Sequence, residues 1–181
     1  MSESLLPADG DPAELLAAIE GAWAKGRLAA PVAAAERSWL DAALAGIEPH
    51  RFGAALVVGS GGSSGGRRWC LQPLAHLEAS AAASGAWLRQ QGIEPASCLH
   101  LNPLPPRHVS GLMPWLRARH WQADHRLLAP ELLRRGEALA AVPLPADRPV
   151  LLSLVPTQLR RLLEVPAAVA WLRRCRLIWV G

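Results

Sequence analysis

From Val57 to Arg68 the chain reads Val-Val-Gly-Ser-Gly-Gly-Ser-Ser-Gly-Gly-Arg-Arg. Glycines leave backbone N–H groups unshielded, so several can turn toward one anion. Ser60, Ser63 and Ser64 add hydroxyl donors, and Arg67 and Arg68 add positive charge. Many donors beside two cations suit a phosphate group. A flexible Gly/Ser linker has the same composition, but the apolar run Ala54–Val58 before the loop and the arginines after it favour phosphate binding. The second residue with chemical potential is His108. It lies in Asn102–Gly111, where three prolines (Pro103, Pro105, Pro106) exclude regular structure. A loop histidine can donate or accept a proton near neutral pH; taken alone, it is more often structural.

Familiar phosphate templates fit badly. With G-x-x-x-x-G-K-S/T laid on Gly61–Arg68, Arg67 takes the lysine position and Arg68 the magnesium-binding hydroxyl, so both chemical positions fail. G-x-G-x-x-G fits in no register. G-x-S-x-G fits Gly61–Gly65 and would make Ser63 the nucleophile of an α/β hydrolase, with Asp124 or Asp147 as acid and His125 or His120 as base. Such enzymes place a histidine late in the chain, and none stands there.

The loop resembles the S/T-S/T-G-S/T-T-G-x-P-K signature of the AMP-forming acyl-CoA ligase (adenylate-forming) superfamily. Ser60, Gly62, Ser63, Ser64 and Gly65 match it, Arg68 stands where the signature has lysine, and Gly61 and Arg67 depart from it. His108-Val-Ser-Gly-Leu112 resembles the family's H-x-x-G-L segment, and Ser153-Leu-Val-Pro-Thr-Gln-Leu159 its S-x-V-P-T-x-L segment. Arg176–Gly181 is similar to the strand leading to the family's G-G-A turn. Within the superfamily the wording is most similar to the o-succinylbenzoate–CoA ligases of menaquinone and phylloquinone synthesis. The resemblance implies ATP, Mg2+ and CoA as cofactor and co-substrates, and a small carboxylic acid as substrate. It implies that Ser60, Gly61, Gly62, Ser63, Ser64, Gly65 and Arg68 hold the nucleotide phosphates, and that His108 positions the carboxylate. No protein metal ligand is implied. It also implies an N-terminal portion only, inactive by itself, because the family's Y-G-x-T-E and T-G-D segments and its C-terminal domain have no counterpart here. A non-catalytic phosphate- or nucleotide-binding module is the alternative.

These residues need a scaffold. At 181 residues, 51% hydrophobic and 19% charged, the chain can bury a core. A net charge of +4 with a pI near 9.7 permits anionic ligands. The arginine pairs are dispersed without interleaved aromatics, which argues against nucleic acid. Cys70, Cys98 and Cys175 have no C-x-x-C spacing, and no 18-residue apolar run or signal-like start occurs, so a cytoplasmic protein without a membrane span is expected. Oligomeric state is not legible.

Residues 1–53 read as a helical lead-in: a frayed start, a helix from Asp11-Pro12 to Gly26, and a second helix over 32–45 carrying Trp39, Leu40 and Leu44 inward. From residue 54 strands at 54–58, 97–101, 150–154 and 176–180 alternate with helices at 71–88, 112–119, 131–139, 157–163 and 167–174. This pattern predicts an α/β fold with parallel pairing over 54–181, and the resemblance implies that residues 1–181 form one partial domain, the incomplete N-terminal part of a ligase large domain. The loops after Val58, Leu101 and Leu154 then lie at strand carboxyl ends and are expected to share one sheet edge. His50, His76 and His100 carry no expected role, and His120 and His125 are not expected to bind metal.

Overall fold

The computed structural model describes residues 4–59 and 68–181. The chain divides into two compact units, Met1–Leu77 with Pro106–Val109, and Glu78–Pro105 with Ser110–Gly181.

In the first unit, β1 (Leu5–Pro7) leads into α1 (Pro12–Ala24), then β2 (Leu28–Val32), α2 (Arg37–Leu44), β3 (Ala55–Gly59) and β4 (Trp69–Pro73). These strands form a four-stranded sheet in the order β1-β2-β3-β4, parallel except for β4. The N-terminus of α1 follows from its sequence: the Asp11 carboxylate accepts from the Ala13 N–H at 2.9 Å, and Pro12 needs no N–H partner there. Its buried stripe, Leu15, Leu16, Ile19, Ala22 and Trp23, has helical spacing. The Trp23 indole N–H donates to the Ala55 carbonyl at 2.8 Å.

Both strands of the supposed helical lead-in went unforeseen. β2, Leu-Ala-Ala-Pro-Val, is buried at every position, and burial overrides alanine's preference for helix. Pro31 is tolerated because its pairing with β3 ends at Ala29 and only β1 lies beside it. The second helix starts only at Arg37. Its i,i+4 pair Leu40 and Leu44 is buried, whereas Trp39, expected inside, turns outward and is 64% exposed.

α3 (Leu74–Gln90) begins in the first unit and continues in the second. The second unit continues with β5 (Leu99–Asn102), α4 (Val109–Trp121), β6 (Asp124–Leu127), α5 (Gly136–Ala140), β7 (Val150–Leu154), α6 (Pro156–Leu163), α7 (Pro166–Leu172) and β8 (Leu177–Val180). Its four-stranded sheet runs β6-β5-β7-β8, all parallel. This confirms the parallel α/β architecture. β6 was not foreseen because Asp-His-Arg-Leu is an edge strand, alternately exposed and half-buried, and its Asp124 pairs with Arg148.

Alternation in β5 and β7 divides this sheet into two faces. Leu99, Leu101, Leu152 and Leu154 face a core shared with Leu139 of α5, Leu162 of α6 and Trp171 of α7. The opposite face puts Leu151 against Leu88 of α3 and Trp121 of α4. Helices on the two faces, with β5 connecting to β6 on one side while β7 lies on the other, make the β5/β7 pair a topological switch point.

The α2 register is testable. Leu40→Ala should cost about 2–5 kcal/mol as a fully buried truncation, and Trp39→Ala about 0.5 kcal/mol or less. Urea denaturation of the two variants checks this; the reverse ranking would mean that α2 is rotated.

Candidate functional site

Ser60, Gly61, Gly62, Ser63, Ser64 and Gly65 lie outside the described residues. Their flanks are clear. Gly59 pairs with Trp69 and Ala55 with Pro73, so residues 60–67 connect two antiparallel strands. The expected handover from strand to helix at this point is therefore corrected. Trp69 and Leu71 pack on the first unit's core and Cys70 is exposed, a period of two that makes 69–73 a strand and delays α3 to Leu74. Arg68 is exposed immediately before β4. No helix N-terminus follows the loop directly, so an anion there would rely on backbone N–H groups, hydroxyls and arginine. The hydrolase reading fails at the same place, because a nucleophile elbow needs strand-turn-helix.

The expectation that three loops share one sheet edge holds for two. The segments after β5 and β7 leave neighbouring parallel strands of one sheet, whereas β3 belongs to the other sheet. At the carboxyl end of β5 stands Asn102, fully buried, a residue the sequence reading passed over. Its Oδ1 accepts from the Leu104 N–H at 3.1 Å, and its Nδ2 donates to the Gly111 carbonyl at 2.7 Å. Nδ2 also lies 3.2 Å from Nε2 of His125 on β6. One side chain thus ties both ends of the turn 103–111. Gly111 is needed there for space: a Cβ would sit 2.5 Å from the Leu104 carbonyl oxygen and closer still to that of Pro105. The glycine of the H-x-x-G-L segment therefore has a steric reason as well.

The two backbone bonds fix the amide orientation of Asn102, since reversing it would set N–H against N–H and oxygen against oxygen. His125 Nε2 must then accept, and the ring is neutral with its proton on Nδ1. Burial pushes the pKa of His125 down to about 4. His100, one strand over on the same face, is more buried. Desolvation, then the neighbouring His125 and Arg117, push it down to about 3. Its ring is 5.2 Å from that of Trp121, whose indole N–H donates to the Ala81 carbonyl. Arg117 stacks 4.6 Å above Trp179, which in turn meets Trp87 at 5.7 Å.

His108 belongs to the first unit and is half-buried. The Arg107 guanidinium donates to its Nε2 at 3.2 Å, and Arg107 itself reaches Asp9 at 3.9 Å. An accepting Nε2 leaves Nδ1–H as the donor of the neutral ring. Ser153 is buried in β7. The following Val155-Pro-Thr-Gln158 starts α6, with Pro156 in the first turn and the Gln158 side chain accepting from the Val155 N–H at 3.0 Å. Of the candidate hydrolase partners, Asp124 is engaged with Arg148 and His125 with Asn102. Burial raises the thiols of Cys98 and Cys175 to about 11, which keeps them unreactive. Among the described residues no three His, Cys, Asp or Glu side chains group as a metal site, and no helix is long and apolar enough to cross a membrane.

No protein-family model matches this chain, and no curated protein matches it. Among solved structures it is similar to two adenylate-forming ligases. One is the o-succinylbenzoate coenzyme A synthetase MenE of Bacillus subtilis. Its AMP complex aligns at TM-score 0.45 and 21% identity over 70% of this chain and 30% of that one. Its complex with ATP and magnesium ion gives 0.46 and 21%, over 70% and 24%. The other is ATP-bound MatB of Rhodopseudomonas palustris, at 0.46 and 16% over 97% of this chain and 39% of that one. The chain thus spans well under half the length of either.

Two outcomes test this geometry. Gly111→Ala should destabilise the chain by about 1–3 kcal/mol through overpacking against backbone, measured by urea unfolding; a neutral result would mean that the turn does not lie on the first turn of α4. An unfolded histidine takes up its proton near pH 6.5, whereas these two do so near 3 and 4 in the fold. Between those values the unfolded chain binds more protons, so acidification costs up to about 1.4 kcal/mol per pH unit for each histidine. The urea midpoint should fall more from pH 7 to pH 5 in the wild type than in His100→Leu; equal falls would exclude a buried neutral His100.

Proposed function

We propose that this chain is the N-terminal part of an ATP-dependent, AMP-forming carboxylate–CoA ligase acting on o-succinylbenzoate, an enzyme of menaquinone or phylloquinone synthesis. One observation supports this reading above the others. The three motif-bearing segments, the glycine/serine loop, the His108 turn and the Ser153–Leu159 segment, occur in order, each at the carboxyl end of a strand: β3, β5 and β7. Strand carboxyl ends are where α/β sheets hold their ligands.

The reaction has two steps. The carboxylate oxygen bonds to the α-phosphorus of ATP and pyrophosphate leaves, giving an acyl-adenylate; the CoA thiolate then attacks the acyl carbon and AMP leaves. ATP with Mg2+, when bound, supplies the phosphoanhydride and part of the charge neutralisation. The chain's own residues would do the rest. Backbone N–H groups of Gly61, Gly62 and Gly65, the hydroxyls of Ser60, Ser63 and Ser64, and the Arg68 guanidinium would meet the β- and γ-phosphates and stabilise the departing pyrophosphate. His108, its Nε2 held by Arg107, would present Nδ1–H to the substrate carboxylate and orient it for attack.

The test, run on the complete ligase of which this chain would form the N-terminal part, is o-succinylbenzoate-dependent exchange of labelled pyrophosphate into ATP, with calorimetric titration of Mg-ATP. We expect exchange and binding by the wild type. Ser63→Ala and Arg68→Ala should each lower kcat/KM for ATP by roughly 10- to 100-fold, the range for removing one charge-stabilising donor. Unchanged values in both variants would remove the loop from the reading, and a wild type that neither binds ATP nor exchanges pyrophosphate would overturn it.

A further inference from the structure

Among the described residues the buried polar side chains are His100, Asn102 and Ser153. Asn102 differs, because its hydrogen bonds run along the chain to the two ends of one turn. Leu104 lies two residues downstream and Gly111 nine, and both are held by the same amide group. The turn contains three prolines, so few of its own N–H groups are available to fold it. Residues 103–108 have no ladder of their own, whereas Val109–Gly111 already belong to the first turn of α4, so the ties at the two ends bear on how the segment between them runs. Asn102 is fully buried, the turn's prolines block regular structure, and Gly111 leaves no room for a Cβ. The remaining N–H of Nδ2 faces His125 Nε2 at 3.2 Å, so the anchor is itself braced from the neighbouring strand.

We propose that Asn102 is a positioning residue. It sets the conformation of the turn 103–111, in which His108 lies, and it locks His125 in the neutral form protonated on Nδ1. Insofar as it concerns carboxylate binding, this inference rests on the ligase reading above. The turn presents its histidine in a fixed place only while both ends are tied, so loss of the anchor acts on carboxylate binding and not on ATP binding.

Asn102→Asp is the informative variant. It keeps an acceptor for the Leu104 N–H but offers no donor to the Gly111 carbonyl or to His125. Nitrogen-15 NMR of the full chain at pH 7 should show wild-type His125 with Nε2 unprotonated and Nδ1 protonated. In Asn102→Asp, Nε2 should become protonated, because the carboxylate can only accept. Hydrogen-exchange protection of the 104 amide should persist, while the shifts of 105–111 move; amides of Leu99–Leu101 and Leu151–Leu152 serve as the fold control. A wild-type His125 protonated on Nε2, or unchanged turn shifts in a folded Asn102→Asp, would overturn the proposal. Should the variant fail to fold, the wild-type tautomer alone decides. In the pyrophosphate-exchange assay Asn102→Asp should raise KM for o-succinylbenzoate roughly tenfold, as expected for a lost positioning contact, and leave KM for ATP unchanged. Equal increases in both would mean a general structural role and overturn the carboxylate assignment. A wild type without exchange would defeat the ligase reading, and the tautomer result would still decide the anchor.

Discussion

A buried strand has to satisfy every polar group it carries, and in the second unit that requirement falls on β5. His100 and Asn102 alternate with Leu99 and Leu101, so one face of the strand is apolar and the other carries an imidazole and an amide away from water. Desolvating an unpaired amide costs several times what a typical hydrogen bond returns. Asn102 meets the cost by bonding to backbone on both sides of the following turn and to a neutral histidine on β6. His100 limits it by staying uncharged beneath Trp121, although its Nε2 has no hydrogen-bond partner. The placement of α4, the turn before it and the edge strand β6 all depend on these arrangements.

The sequence announced elements whose pattern is strong and local. The acidic cap and proline of α1, the five-residue apolar runs of β3 and β7, and the proline break after β5 could each be read without knowledge of the rest. Misreadings arose where burial, not local preference, decides. β2 is an alanine-rich strand because strands lie on both sides of it, and β6 is a charged strand because it lies at an edge. Neither condition is written within the segment itself. Trp39 was misplaced because shifting the start of a helix by a few residues rotates every side chain after it. The glycine/serine loop was placed correctly after a strand, but Trp69–Pro73 alternates over only five residues and merged in the reading with the helix that follows.

The site was legible in part for the same reason. His108 and the glycine/serine loop stand out by composition, whereas Asn102 is a common residue before proline. Its importance comes from partners nine and 23 positions away. Only the β5–β6 register brings His125 near it, and β6 was the strand that could not be read.

Structural explanations now cover several residues that a motif would otherwise claim for chemistry. Gly111 has no room for a side chain, Pro156 and Gln158 begin a helix, and Ser153 lies in a buried strand. A residue already required by the fold says little about ligands, so these positions contribute less to a functional reading than their match to a motif suggests. His108 and Arg68 are different. Arg68 is exposed and has no packing role, and His108 is half-buried with its ring nitrogen turned to the neighbouring Arg107. Exposed or half-buried polar side chains contribute little to folding, so ligand binding probes these two positions better than stability does.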